Sequence, residues 1–300
     1  MDILNIFKEN KLVESVNNAQ QAIKTTGKLI SLISDNKVSA SVREMLQGLK
    51  TIITEKPNIT SVNHFINHFL LQISPENQPI IIKELLEVFH ERWKNVDRKT
   101  AETAIQQYDF NGKNILIHGS DVTITALIEN LVVNLKTCNV TQIVTVHDKI
   151  GKQQATEIAE LGIPVSVIDD SEISKYIQQT DVVIMSAEIV MHETFIAKSG
   201  AYNLCIIANH FKVPVYILSD TRKILNKKYF PNSVVDTFVG KNKKPIVEVW
   251  KDAPDNINTN YLHLEEVSNH LITKFVFEND AYTPEELPEQ VDKTLVAKFI

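Results

Sequence analysis

The sequence predicts an α/β protein, with an all-helical N-terminal domain over residues 1–108 and a doubly wound domain on a parallel sheet over residues 109–300. Three observations predict this. Up to about Tyr108 apolar residues recur at helical spacing and β-branched runs of strand length are scarce. From "NILIHG" (114–119) onward, short apolar runs alternate with helical stretches. Those runs are apolar at successive positions, which marks strands covered on both faces, and a parallel sheet with right-handed helical crossovers supplies that cover.

In the N-terminal region, "SASVREMLQGLKTIITEK" and "NQPIIIKELLEVFHERWKNVDRKTAETAIQQY" carry the helical period, with Ser and Asn at capping positions. Proline and asparagine break the pattern at "EKPNIT" and "ISPENQP". After "DFNGK" the order is strand "NILIHG", helix "TALIENLVVNLKT", strand "QIVTVHD", helix "KQQATEIAELG", strand "PVSVID", helix "ISKYIQQ", strand "DVVIMSA", helix "YNLCIIANHF" and strand "PVYILSD". This is a Rossmann-like succession. In such sheets ligands sit outside the carboxyl ends of the strands, so "HGSD", "HDK", "DDS" and "SAEIVMHE" are expected along one rim.

The 300 residues include 43% hydrophobic and 23% charged, an ordinary globular composition. A formal charge of −6 argues against a broad electrostatic grip on nucleic acid or anionic membrane. The lysine-rich "VGKNKKPIVEVW" reads as a strand approach with a solvated turn. Cys138 and Cys205 have neither zinc-site spacing nor the density of a disulfide scaffold, which fits buried thiols in a reducing cytoplasm. The start, "MDILNIFKENKLVESV", is charged within its first turns and does not read as a secretory signal, and no run of about 18 apolar residues occurs. A cytoplasmic protein is the expectation. "HGSDVT" lacks the spaced glycines of a dinucleotide fingerprint and there is no Walker loop, so no cofactor is expected. No metal site is expected either, since no second His or Cys stands at ligand spacing from His192.

Two helix starts on the rim have the chemistry of an anion cradle. At "AKSGAYNLCII", Ser199 and Gly200 lie where a loop turns into a helix, so backbone N–H groups and the positive end of the helix dipole face the rim, with Lys198 as a point charge. At "HGSDVTITALIENL", Gly119 permits close approach and Ser120 or Asp121 caps the helix, although Asp121 would repel a phosphate. Each of these residues equally suits plain capping, and His118 equally suits a strand end bonded to backbone. His192 beside Glu193 offers an imidazole and a carboxylate for acid–base work, but adjacent residues in a regular element point apart.

From Asn114 to Leu287 the order and spacing of several motifs resemble one family. It unites the regulatory subunits of translation initiation factor 2B with methylthioribose-1-phosphate and ribose-1,5-bisphosphate isomerases. "NILIHGS", "ELGIPVSVIDD", "DVVIMSAEIV", "AKSGAYNLCIIANHFKVPVYIL" and "FENDAYTPEEL" carry the likeness. The resemblance implies a phosphorylated small-molecule ligand, and ligand contacts at Gly119, Ser120, Glu188, Lys198, Ser199 and Gly200. It further implies a homodimer formed through the C-terminal domains, and a translation-factor partner.

The isomerases of this family use a cysteine after the first strand and an aspartate in an Asn-Gly-Asp loop. Here Gly119 holds the cysteine position and cannot transfer a proton. His192, Glu193 and Thr194 fall at the loop, Ala197 replaces the asparagine before Lys198, and the Arg-Gly-Ala stretch of the helical domain is missing. "SDTRKILNKKYFP", through Lys223 and Pro231, is similar to the regulatory subunits instead. The expectation is a non-catalytic binding protein that keeps a sugar-phosphate or nucleotide-monophosphate pocket. The alternative is an aldose–ketose isomerase with altered residues drawn from His192, Glu193 and His118.

Overall fold

A computed structural model describes residues 79–144, 149–226 and 261–294, together with 64, 71–72, 243–244, 254 and 256–257. The chain divides into two compact units, Met1–Val96 with Thr294–Ile300, and Asp97–Lys293. The expected helices before residue 64, His147, Asp148, Pro231 and most of the "VGKNKKPIVEVW" stretch lie outside the described residues.

In the first unit, α1 (Pro79–Trp93) buries Leu86, Phe89 and Trp93, which recur three and four residues apart and so share one face. The His64 ring meets the Trp93 ring edge-on at 5.2 Å. Lys83 and Glu87, one turn apart, form a partly exposed ion pair beside that face.

The second unit takes in all but the first residue of α2 (Val96–Gln107), then β1 (Lys113–His118), α3 (Val122–Val133), β2 (Cys138–Ile143), α4 (Lys149–Glu160) and β3 (Val165–Ile168). The short α5 (Ile173–Tyr176), flanked by 3₁₀ turns, leads to β4 (Val182–Ser186), β5 (Ile189–Val190), β6 (Thr194–Lys198), α6 (Ala201–His210) and β7 (Val215–Leu218). Two-residue strands β8 (Lys243–Lys244) and β9 (Tyr261–Leu262) pair with each other, and β10 (Leu264–Ser268), β11 (Lys274–Val276), β12 (Ala281–Tyr282) and α7 (Leu287–Asp292) follow.

The main sheet runs β12-β11-β7-β4-β1-β2-β3, parallel throughout except for edge strand β12. Its central strands are buried on both faces because helices cover both. Ile115, Ile117, Val182 and Ile184 pack with Leu127, Ile128 and Leu131 of α3, Ile158 of α4, and Ala101 and Ala104 of α2. The alternate residues Leu116, Val183 and Met185 pack on the other side with Leu204 and Ala208 of α6 and Leu287 and Val291 of α7. The period of two along each strand and of about 3.6 along each helix meet in these two layers. The predicted α/β class, with a mostly parallel sheet, is what the chain adopts.

One segment differs from the sequence reading. "IVMHETFIAK" forms a hairpin, β5 and β6, that joins β10 in a separate antiparallel sheet ordered β10-β6-β5. The pairing of β6 with β10 bridges about 70 residues, which no local pattern announces.

Candidate functional site at the sheet switch point

After β1 the chain moves outward through β2 and β3, then returns so that β4 pairs with the other side of β1. Such a reversal of winding is where open α/β sheets place a crevice outside the strand carboxyl ends, and here that position falls beyond His118 of β1 and Ser186 of β4.

Gly119, at φ +80°, turns the chain out of β1, and a Cβ there would stand 3.4 Å from Lys198 Cδ. The Lys198 ammonium donates to Ser120 Oγ at 2.7 Å. Asp121 caps α3 by accepting from the Thr123 N–H at 2.9 Å. Gly200 opens α6 at φ +100°, and a Cβ on it would lie 2.8 Å from His118 Nε2. Residues from β1, its exit loop, β6 and the start of α6 thus converge on one spot: His118, Gly119, Ser120, Lys198 and Gly200 are neighbours.

The α6 start is partly served from inside the chain. The Ser199 N–H donates to the His263 carbonyl at 3.1 Å, and the Tyr202 N–H to Glu265 Oε1 at 2.8 Å. The chain's own carboxylate therefore meets the positive end of this helix.

Behind the crevice lies a group of charges that the sequence did not bring together. Lys223 Nζ pairs with Asp121 Oδ2 at 3.2 Å. Burial works against the Lys223 ammonium, but the carboxylates of Asp121, Glu188 and Asp220 outweigh it and hold its pKa above the ordinary lysine range. Burial pushes the half-buried Glu188 carboxyl up; Asp121 adds to this, while Lys223 and Lys198 oppose it. The Glu188 backbone N–H donates to the Ile196 carbonyl, which fixes the β4 exit against the hairpin. One turn further, buried Arg222 grips Asp220 through two parallel bonds, Nε to Oδ1 at 2.7 Å and Nη2 to Oδ2 at 3.0 Å. Burial raises the Asp220 pKa, but Arg222 more than reverses that and holds it below the usual carboxylate range. Asp97, which accepts from Thr123 Oγ1 at 3.0 Å, is pushed up by burial and by Asp121 and Asp220.

His192 and Glu193 sit elsewhere, at the turn of the β5–β6 hairpin. Lys198 is at the other end of β6, about 15–20 Å along the strand at ~3.3 Å per residue. His192 Nε2 faces Asp292 Oδ1 at 3.1 Å, the Asn269 side-chain amide donates to the Met191 and His192 carbonyls, and the Asn269 backbone N–H donates to the Glu193 carbonyl. Thr194 Oγ1 donates to Glu266 Oε1. This end of the hairpin is occupied with tying β10 and α7 together. Among the described residues no group of three or more His, Cys, Asp or Glu is placed to hold a metal ion, and no helix is long and apolar enough to cross a membrane.

Comparison with known proteins agrees with the resemblance. The initiation factor 2 subunit family matches residues 12–284. The translation initiation factor eIF2B subunit alpha of Dictyostelium discoideum is 30% identical over 114 residues, 38% of this chain and 36% of that protein. The ribose 1,5-bisphosphate isomerase of Archaeoglobus fulgidus is 23% identical over 222 residues, 72% of this chain and 69% of that one. The chain is thus aligned to only about a third of the alpha subunit's length. In structure it is similar to the translation initiation factor eIF-2B of Pyrococcus horikoshii, with a TM-score of 0.73 at 17% identity, covering 94% of this chain and 97% of that one.

Proposed function

We propose, for a chain that belongs to the initiation factor 2 subunit family, a non-catalytic regulatory or binding role in which the crevice holds a phosphorylated small molecule, a sugar phosphate or a nucleoside monophosphate. One observation supports the reading: Gly119, Ser120, Lys198 and Gly200 lie close together around His118, while the position after His118 is a glycine that has no side-chain proton to move. Of the residues available for substitute chemistry, His192 and Glu193 stand at the far end of the hairpin, where His192 faces Asp292, and His118 alone stands beside Gly200. In the proposed complex Lys198 turns from Ser120 toward the phosphate, and Gly119 and Gly200 let the backbone approach it. The experiment is a titration of the purified protein with ribose 5-phosphate and adenosine monophosphate by calorimetry. Micromolar to millimolar binding that Lys198→Met weakens supports the reading, and indifference to both ligands removes it.

A second reading, an aldose–ketose isomerase, is favoured by a different observation. The Glu188 carboxyl, pushed up by burial and set near Lys198 and Lys223, is perturbed in the way that groups exchanging protons with a substrate often are. NMR of methylthioribose 1-phosphate or ribose 1,5-bisphosphate incubated with the protein decides between the two. Turnover lost in Glu188→Gln would establish the enzyme.

We further propose a homodimer, formed through the second unit as the family resemblance implies, and a translation-factor partner. Tyr202 and Ile206, one turn apart on α6 and exposed at 42% and 46%, present an apolar face suited to a second copy.

A further inference from the structure

Gln142 stands on β2, paired on both sides by β1 and β3, and is fully buried, and Gln154 on α4 is buried as well. On β1, β2, β4 and β7 the other buried positions are Val, Ile, Leu or Met except for His118, Cys138 and Tyr216, so a primary amide there needs a reason. Its bonds supply one. Gln142 Nε2 donates to the Gly119 carbonyl at 2.9 Å and to the Ile143 carbonyl at 3.2 Å. Gln154 Nε2 donates to Gln142 Oε1 at 3.1 Å. Gln154 Oε1 accepts the Asp121 N–H at 2.8 Å. The two amides form a directed chain that starts on a backbone N–H at one side of Ser120 and ends on a backbone carbonyl at the other.

We infer that Gln142 and Gln154 are positioning residues, an amide relay that clamps the backbone on both sides of Ser120 and so holds the Gly119–Asp121 loop in the shape that meets Lys198. The clamp grips main chain, so it fixes the positive φ of Gly119 and the cap geometry of Asp121 together. The orientation of each amide is set by its ends: a carbonyl demands an N–H from Gln142, and the Asp121 N–H demands an oxygen from Gln154. A merely space-filling role would be served as well by Met or Leu, which leave no buried polar atom to satisfy. Because β2 and α4 belong to the next crossover, the relay also couples the loop after β1 to the element beside it. As a statement about ligand binding the inference rests on the reading of the crevice given above; as a statement about the loop it does not.

The test uses Gln154→Met, which keeps the length of the side chain, with Gln142→Met as the second variant should the first fold poorly. Amide hydrogen exchange by mass spectrometry reads the loop without any ligand. In the variant, a peptide spanning 119–124 is expected to exchange on the order of tenfold faster, the loss of one held N–H, while a peptide over 182–186 keeps its rate. Equal change in both peptides, or in neither, overturns the relay. Calorimetry with ribose 5-phosphate reads the consequence: an affinity on the order of tenfold weaker supports the positioning role, and unchanged affinity beside an accelerated loop overturns it. If the wild-type protein does not bind the probe, the reading of the crevice falls while the exchange result still decides whether the relay holds the loop.

Discussion

Gly200 shows what one residue contributes to the crevice. Its φ of +100° is one that side chains avoid, and a Cβ would intrude on His118 Nε2 at 2.8 Å, so strain and collision add. Gly112, at φ +72° with nothing within 4 Å of an added Cβ, carries the backbone cost alone. Gly200→Ala is expected to lower stability by about 2–4 kcal/mol and Gly112→Ala by about 1 kcal/mol in urea denaturation. Comparable losses at the two sites would mean that His118 yields freely. Asp97 makes a second residue-scale case. Burial raises its folded-state pKa, so folding favours the protonated form; the stability this adds at low pH is lost as pH rises through the folded pKa. Asp97→Asn stays neutral and keeps an acceptor for Thr123. It should be more stable than the wild type at pH 7, with the advantage fading as pH falls through the raised folded pKa and gone by about pH 4, the ordinary aspartate range. Thermal melts across that span check it, and a variant that is less stable at pH 7 contradicts it.

At the scale of elements, the turn after β7 is held by charge. Arg222 is buried with Asp220 beside it, and Asp97 and Glu278 add to its stabilisation as a cation. Glu278 in turn accepts from Thr221 through both its backbone N–H and its hydroxyl, which joins this turn to the exit of β11. Removing the cation would leave Asp220 desolvated beside two further carboxylates. Arg222→Met should therefore cost about 3–5 kcal/mol in chemical denaturation, and a loss under about 1 kcal/mol would show that water reaches the turn. The hairpin is held differently. The His192–Asp292 contact is partly exposed at both ends, so His192→Ala should cost less than about 1 kcal/mol and leave ribose 5-phosphate affinity unchanged. Lost binding in that variant would bring the hairpin turn into the site.

For the whole molecule, the proposed ligand position follows from the second unit: the winding reverses beside β1, and the ends of β1 and β6 meet there through Ser120 and Lys198. Association is the prediction that belongs at this scale. Light scattering on the purified chain should return about twice 34.0 kDa, and replacing Ile206 with Glu on the exposed face of α6 should shift it toward the monomer, since a charge buried in an apolar contact is costly. A monomer for the unaltered chain refutes the dimer.

Much of this was legible along the chain. Apolar runs such as "NILIHG" and "DVVIM" announced strands buried on both faces, and with the helices between them they determined the fold class and the rim on which His118, Gly119, Lys198 and Gly200 lie. Such patterns are local, with periods of 2 and about 3.6, so a single stretch suffices to read them. Three-dimensional packing alone decided who faces whom. Lys223 meets Asp121 across 102 positions, Gln142 reaches back 23 residues to Gly119, and His192 is drawn away to Asp292 by a hairpin whose partner strand is some 70 residues distant. Those encounters follow from strand order and sheet register, which bring remote side chains within bonding distance, and neither leaves a repeating mark on the residues involved.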